Sequence, residues 1–236
     1  MMTFSMKRFS AILRKEMQDL KSNAQVLLMA ILPLGLALFY KQMGSGKEFL
    51  AGIVVVMVLS MVTTITQATL IAEEKEKHTL RVMMLSPASP IEVILGKSLP
   101  IMVLSFFLSV ISLFLLDSLK GNVFLLMTII LLGVLLFIII GTMVGLLAKN
   151  LVQVSVLGTP IMMIFFAGPL LHLFVKNEIV KKILYHIPTN HIFNAITGVL
   201  EGKGFSALSE NVINIFVWIL ITFILFLFVY KKKQLD

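Results

Sequence analysis

The sequence predicts an all-α membrane protein with six transmembrane helices, and three observations predict it. Of 236 residues, 58% are hydrophobic and 14% charged, with a mean hydropathy of +1.02, which is too apolar for a domain with a water-facing exterior. Six apolar runs approach or exceed the ~20 residues that a helix needs to cross ~30 Å of hydrocarbon. They are Ala24 to Tyr40, Leu50 to Ala72, Leu99 to Leu116, Val123 to Ala148, Leu151 to Phe174 and Val212 to Tyr230, and none contains Asp, Glu, Lys or Arg. The runs are continuous and not alternating, so each backbone has to close its hydrogen bonds within a helix.

Residues 1–23 are expected to stay in the mature protein, because their charge and short apolar content do not fit a cleavable signal peptide. Met6, Phe9, Leu13, Met17 and Leu20 recur there at helical spacing, while Lys7, Arg8, Arg14 and Lys15 take other faces. That pattern predicts an amphipathic helix lying on the inner membrane surface among anionic lipid headgroups. After the second run, Glu73 precedes Lys77 by four residues, which supports continuation of the helix past the membrane. Ser86 and Pro87 break it, and Ser89, Pro90 and Glu92 form a capping-box signature for a restart. Residues 73–98 are thus a cytoplasmic region with its own helical grammar.

Lys149 and Asn150 alone separate the fourth and fifth runs, predicting a tight hairpin. Gly168 and Pro169 are expected to bend or end the fifth helix. Residues 175–210 form an outer helical segment, with a stripe of Ile179, Val180, Ile183, Leu184 and Ile187 stopped by Pro188 and a second short helix through Phe193 to Leu200. These helices would lie in the outer interface or dip back into the bundle. Without internal repeats or low-complexity linkers, residues 1–236 partition most simply as one membrane domain.

Lysine and arginine set the orientation. With the first residue inside, thirteen fall in inner segments, from Lys7 and Arg8 to Lys231, Lys232 and Lys233, and seven in outer ones: Lys41, Lys47, Lys120, Lys176, Lys181, Lys182 and Lys203. Both termini are therefore expected in the cytoplasm. The net charge of +8 reads as membrane anchoring and not as nucleic-acid binding, since the basic residues are scattered at helix ends.

Little in the sequence supports chemistry. The "GKS" at Gly96 to Ser98 lacks the preceding glycine of a phosphate loop, where Ile91 stands. His78, His172, His186 and His191 have no pair at a spacing of three or four, and cysteine is absent, so no metal site is expected. Acidic residues lie in loops and tails, which excludes a paired-carboxylate or triad site inside the membrane.

Milder polar groups mark the spans. Ser60, Thr63, Thr64 and Gln67 follow one flank of the second, and Gln153, Ser155 and Thr159 the inner half of the fifth. They serve either helix-to-helix hydrogen bonding or the lining of a translocation path. Gly141 to Gly145 is a small-xxx-small match for close packing within the chain. The dense cluster Glu73, Glu74, Lys75, Glu76, Lys77, His78 and Arg81 suits a firm element that passes a push from a soluble partner to the helices.

At these residues the chain resembles the type-2 ATP-binding cassette (ABC-2) exporter permeases. The family's inner loop reads E-x-E-x-G-T-L-x-x-L-x-x-x-P before a G-K, and Glu74, Glu76, Thr79, Leu80, Pro87, Gly96 and Lys97 take those places. His78 stands where glycine is frequent and Arg81 where an acid is. Outside, Pro188, Ala195, Gly198, Leu200 and Gly202 match the segment that the family writes N-P-L-T-Y then A-L-x-G-x-L-x-G, without the usual aromatic and acidic residues at 190–194. "FFAGP" at Phe165 to Pro169 resembles the family's break at the outer end of its fifth helix.

The resemblance implies a plasma-membrane exporter subunit of a bacterial cell. It pairs with a second copy or a sister permease and rests on a separate cytoplasmic ABC ATPase that binds ATP and Mg, while this chain binds no cofactor. Glu73, Glu74, Glu76, Thr79, Leu80, Arg81 and Leu85 would form the coupling surface. Cargo would pass between the second and fifth spans of the two halves, with Gly168, Pro169, Pro188 and Gly198 in the outer gate. The apolar path suits an amphiphilic or hydrophobic cargo such as an antibiotic, peptide or lipid-like molecule. The rival readings are an ion-coupled secondary transporter or channel, which would place ionisable groups at the midplane, and a non-transporting scaffold.

Overall fold

The computed structural model describes residues 4–42, 46–79 and 89–233, all of whose regular structure is helical, with no strand among them. Helix α1 is Met6–Ser22 and α2 is Ala24–Lys41. The second span is one rod of three parts: α3 (Lys47–Met57), a π-helical stretch Val58–Thr63, and α4 (Thr64–Glu76). Then follow α5 (Pro90–Leu115), α6 (Val123–Leu147), α7 (Leu151–Phe174), α8 (Glu178–Tyr185), α9 (Pro188–Leu200) and α10 (Phe205–Lys233). Among the described residues six helices, the second span included, are long and apolar enough to cross a membrane.

Local chemistry sets their ends. Asn23 Oδ1 accepts from the amides of Gln25 and Val26 and starts α2 immediately after α1. Ser89 and Glu92 form the reciprocal capping box at α5, each side chain accepting from the other's backbone amide. Asn150 caps α7 through the Gln153 amide at 2.9 Å, closing the short α6–α7 hairpin. Pro188 does more than stop the stripe before it: it occupies the first turn of α9, where its missing amide costs nothing. Helix α7 runs through Pro169 to Phe174, so the Gly168–Pro169 pair does not end it. The sixth spanning helix begins at Phe205, ahead of its apolar run.

The second span and α6 form the middle of the bundle. In the second span 83% of the apolar window is buried, against 17% in α2 and α10, which leave Leu28, Ile31 and Phe39 and Phe216, Leu220 and Phe228 exposed. Leu126, Ile129, Ile130, Leu136 and Phe137 of α6 are fully buried, with Phe165 edge-on to Phe137 at 5.4 Å. Lipid tails supply no hydrophobic drive between helices, so close packing has to hold them together. Gly141 and Gly145 provide it. A β-carbon on Gly141 would stand 2.6 Å from the Thr64 carbonyl oxygen, and one on Gly145 2.8 Å from that of Ala68. The small-xxx-small motif therefore seats the backbone of α4 on α6.

The approach at Gly141 is to backbone, which cannot rotate away. Gly141→Ala is expected to destabilise by about 1–3 kcal/mol. Gly35→Ala, where nothing lies within 4 Å, should be neutral or gain up to about 1 kcal/mol from helix propensity. Thermal unfolding of the two variants in one detergent checks the contrast.

Candidate functional site

The helix ends that carry α1, the close of α4 and the start of α5 hold the buried charges of the bundle. Lys97, 3% exposed, lies two turns inside α5, and its ammonium pairs with Glu16 Oε1 at 2.7 Å and with Glu74 Oε2. Glu16 is 2% exposed and Glu74 7%. Lys15 completes the cluster, reaching Glu74 Oε1, Glu16 at 3.0 Å and Asp19 at 3.1 Å. Burial disfavours the Lys15 charge, but its hydrogen bond to Glu74 and the field of both glutamates hold it protonated above the usual lysine range. Its contribution is thus present throughout the physiological range and is lost only above the ordinary lysine value. A second pair, Arg8 on Glu92 at 2.9 and 3.0 Å, ties the first turn of α1 to the capping box of α5.

These contacts move the inward face of α1 away from the plain apolar stripe. Phe9, Leu13 and Leu20 do turn inward, but Ile12, Arg8 and Glu16 join them, while Met6 and Met17 are exposed. Gly96 allows the approach, since a β-carbon there would meet Ile12 Cγ2 at 2.7 Å. All three residues of "GKS" are therefore structural: Gly96 admits α1, Lys97 pairs with it, and the Ser98 hydroxyl accepts from Gln67 Nε2 at 2.9 Å.

Each charge at the end of α4 has its own task. Glu73 pairs with Lys77 along the helix at 2.6 Å, and Glu74 faces the Lys97 cluster. Lys75 Nζ donates to the carbonyls of Leu146 and Ala148, both at 2.6 Å, and Glu76 Oε2 accepts from the Leu151 amide at 3.1 Å. A cation thus sits at the carbonyl end of α6 and an anion at the amide end of α7, as the helix dipoles favour. His78 then ends the helix with φ +58°, the left-handed conformation that glycine takes without cost. The Thr79 hydroxyl donates to the Glu74 carbonyl at 3.2 Å. Glu76, Lys77, His78 and Thr79 are exposed, Glu73 is half-buried, and Leu80, Arg81 and Leu85 lie outside the described residues.

The polar residues of the spans fall into two separate sets. Ser60, Thr63, Thr64 and Gln67 are buried inside the chain. Gln67 Nε2 bridges Ser98 of α5 and Thr142 of α6, the latter at 3.0 Å, while the Ser60, Thr63 and Thr64 hydroxyls donate to carbonyls of their own helix. Ser155 and Thr159 are exposed on α7, and Gln153 accepts from the Lys149 amide. At the opposite end, Gly168 lies against Thr189 and Ile187, which brings Gly168, Pro169 and Pro188 together, while Gly198 packs on Leu208 at the start of α10.

Residues 5–229 match the model of the ABC-2 family transporter proteins. The chain belongs to the ABC-2 family. The matched part is a membrane permease, a transport subunit without an ATPase domain. In such systems ATP is bound by a partner ATPase, and ABC-2 permeases generally pair with ATPase subunits. No curated protein matches the sequence. Lys97 and Glu74 of this permease stand at positions of the family pattern, whereas Glu16 and Lys15 come from α1 and carry no sequence signal beyond their acidic and basic types.

Two outcomes follow for the ABC-2 permease. Lys97→Met leaves two buried carboxylates to one half-exposed lysine and should cost about 3–5 kcal/mol, of which added Glu16→Gln restores a substantial part. His78→Gly should raise stability by about 1 kcal/mol by relieving the left-handed backbone, and His78→Val should lower it. Melting temperatures in detergent read both.

Proposed function

We propose that this permease is the membrane half of an ATP-driven exporter, with both termini in the cytoplasm and α1 lying in the inner lipid interface. On this reading a separate ATPase docks on the 73–85 stretch, and the chain works as one unit beside a second copy or a sister permease. The carrying observation is the build of the charged end. The second span leaves the bundle as a helix that α1 and α5 grip through buried ion pairs and that holds both ends of the α6–α7 hairpin through Lys75 and Glu76. A push on Lys77, His78 and Thr79 is passed to five helices, not absorbed by a loop.

On this reading the path forms between two permeases. The cleft beside Gln67, Lys97 and Thr142 measures about 40 Å3, room for a water or two and far below the several hundred Å3 that a drug-sized molecule needs. Exposed Ser155 and Thr159 on α7 offer polar groups to such a shared path, and α8 and α9 close it on the outside. The cargo best suited to these largely apolar surfaces is amphiphilic or hydrophobic.

Affinity capture from mild detergent tests the docking. Wild type should retain an ATPase with ATP hydrolysis activity, and Lys77→Glu/Thr79→Arg, which changes exposed side chains and breaks only the Lys77–Glu73 pair and the Thr79–Glu74 hydrogen bond, should lose at least tenfold of it while the protein stays folded, with a melting temperature lowered by a few degrees at most. Capture without any ATPase, or equal capture by both proteins, contradicts the reading.

A further inference from the structure

The second span is not uniformly wound. Between α3 and α4 the stretch Val58–Thr63 is π-helical, and the Thr64 amide donates to the carbonyl of Leu59 five residues back. A π turn accommodates one residue more than the α-helix around it, usually as a single bulge, and such bulges are frequent at functional sites. This one spans six residues in the most buried of the six spanning helices.

Side chains support it. Thr63 Oγ1 donates to the Val58 carbonyl at 3.1 Å and Thr64 Oγ1 to that of Leu59 at 3.2 Å, both five residues back, and Ser60 Oγ to Val56 at 2.7 Å. The hydroxyls thus serve carbonyls that the widened turn holds less well, in a place where no water replaces a lost partner. Within the stretch only Met61 is less than fully buried.

The helices on either side share α5 and α7 but have different principal neighbours. In α3, Gly52 receives the Phe193 ring of α9, where a β-carbon would meet Cδ2 at 2.7 Å, and Phe49 stands edge-on to Phe193 at 5.3 Å. In α4, the Thr64 and Ala68 backbone rests on Gly141 and Gly145 of α6, and Glu74 enters the Lys97 cluster. A regular helix would join these attachments in one stiff rod.

We propose that Val58–Thr63 is the hinge of the second span, at which the half bearing the charged end tilts against the half that holds α9. A movement at Glu74 then reaches the outer helices as a change of angle at residues 58–63. That a bound ATPase drives the tilt rests on the exporter reading; the hinge itself does not.

The sequence contains no cysteine, so spin labels on Lys47→Cys and Lys77→Cys report one distance, across the hinge, in the full chain reconstituted in nanodiscs. Deleting Met61 removes the extra residue and leaves both halves on their present faces. The parent should give a distance distribution at least twice as wide as that of the deletion variant, whose melting temperature should equal or exceed the parent's. Thr63→Val/Thr64→Val keeps the chain length and drops two supporting hydroxyls, so its distribution should shift from the parent's. Equal widths in parent and deletion variant overturn the hinge. If the deletion variant does not fold, an unchanged distribution in the valine pair overturns it. All of these readings use the permease alone, so absence of a captured ATPase would sink the exporter reading and leave the hinge result standing.

Discussion

The arrangement depends on one buried ammonium. Lys97 sits within α5 with almost no exposure, and a lone charge there would be prohibitively costly to bury. Two carboxylates from two other helices meet it, Glu16 from α1 and Glu74 from α4, and Lys15 balances the second of them. Such a cluster adds little net stability over a well-packed apolar one, but removing any member leaves an uncompensated charge. It therefore fixes which helices lie together, and in which rotation, more than it strengthens the whole.

The rest of the charged end extends from that point. With α4 held in rotation by Glu74, Lys75 and Glu76 fall on the facing ends of α6 and α7, while Gly141 and Gly145 accept its backbone. In lipid, where apolar burial between helices gives no advantage over contact with acyl chains, close backbone approach and polar contacts of this sort decide the packing. The same constraint bears on the mild polar residues of the second span: Gln67 bonds Ser98 and Thr142 on neighbouring helices, and the Ser60, Thr63 and Thr64 hydroxyls bond carbonyls in and beside the widened turn.

The spans were legible because continuous apolar runs of sufficient length have one reading in a bilayer. One cap was legible too: Ser89 and Glu92 pair as the sequence indicates, whereas the capping role of Asn150 emerges only in the structure. The glycine preference at position 78 gains its reason from the positive φ of His78. Illegible were the partners of Glu16 and Lys97, since 81 residues separate them and only tertiary packing brings them together. The six-residue π stretch was hidden because sequence periodicity presumes a regular α-helix, and every residue type in it also suits one. The inward face of α1 was misread in part because charged residues are ordinarily assigned to water, whereas Arg8 and Glu16 are consumed by partners on α5.

If the exporter reading holds, α1 and α5, which Arg8–Glu92 and Glu16–Lys97 tie together, travel as one block when an ATPase pushes the charged end. Ile12 and Gly96 touch across that interface, and in a chain without cysteine the pair Ile12→Cys/Gly96→Cys can be joined by a single disulfide. ATP hydrolysis by the captured permease–ATPase complex, compared with the disulfide oxidised and reduced, measures whether the interface must open. The account predicts rates within about twofold of each other. A fall on oxidation to the rate of the ATPase alone, reversed by reductant, would contradict it and show that α1 leaves α5 during the cycle.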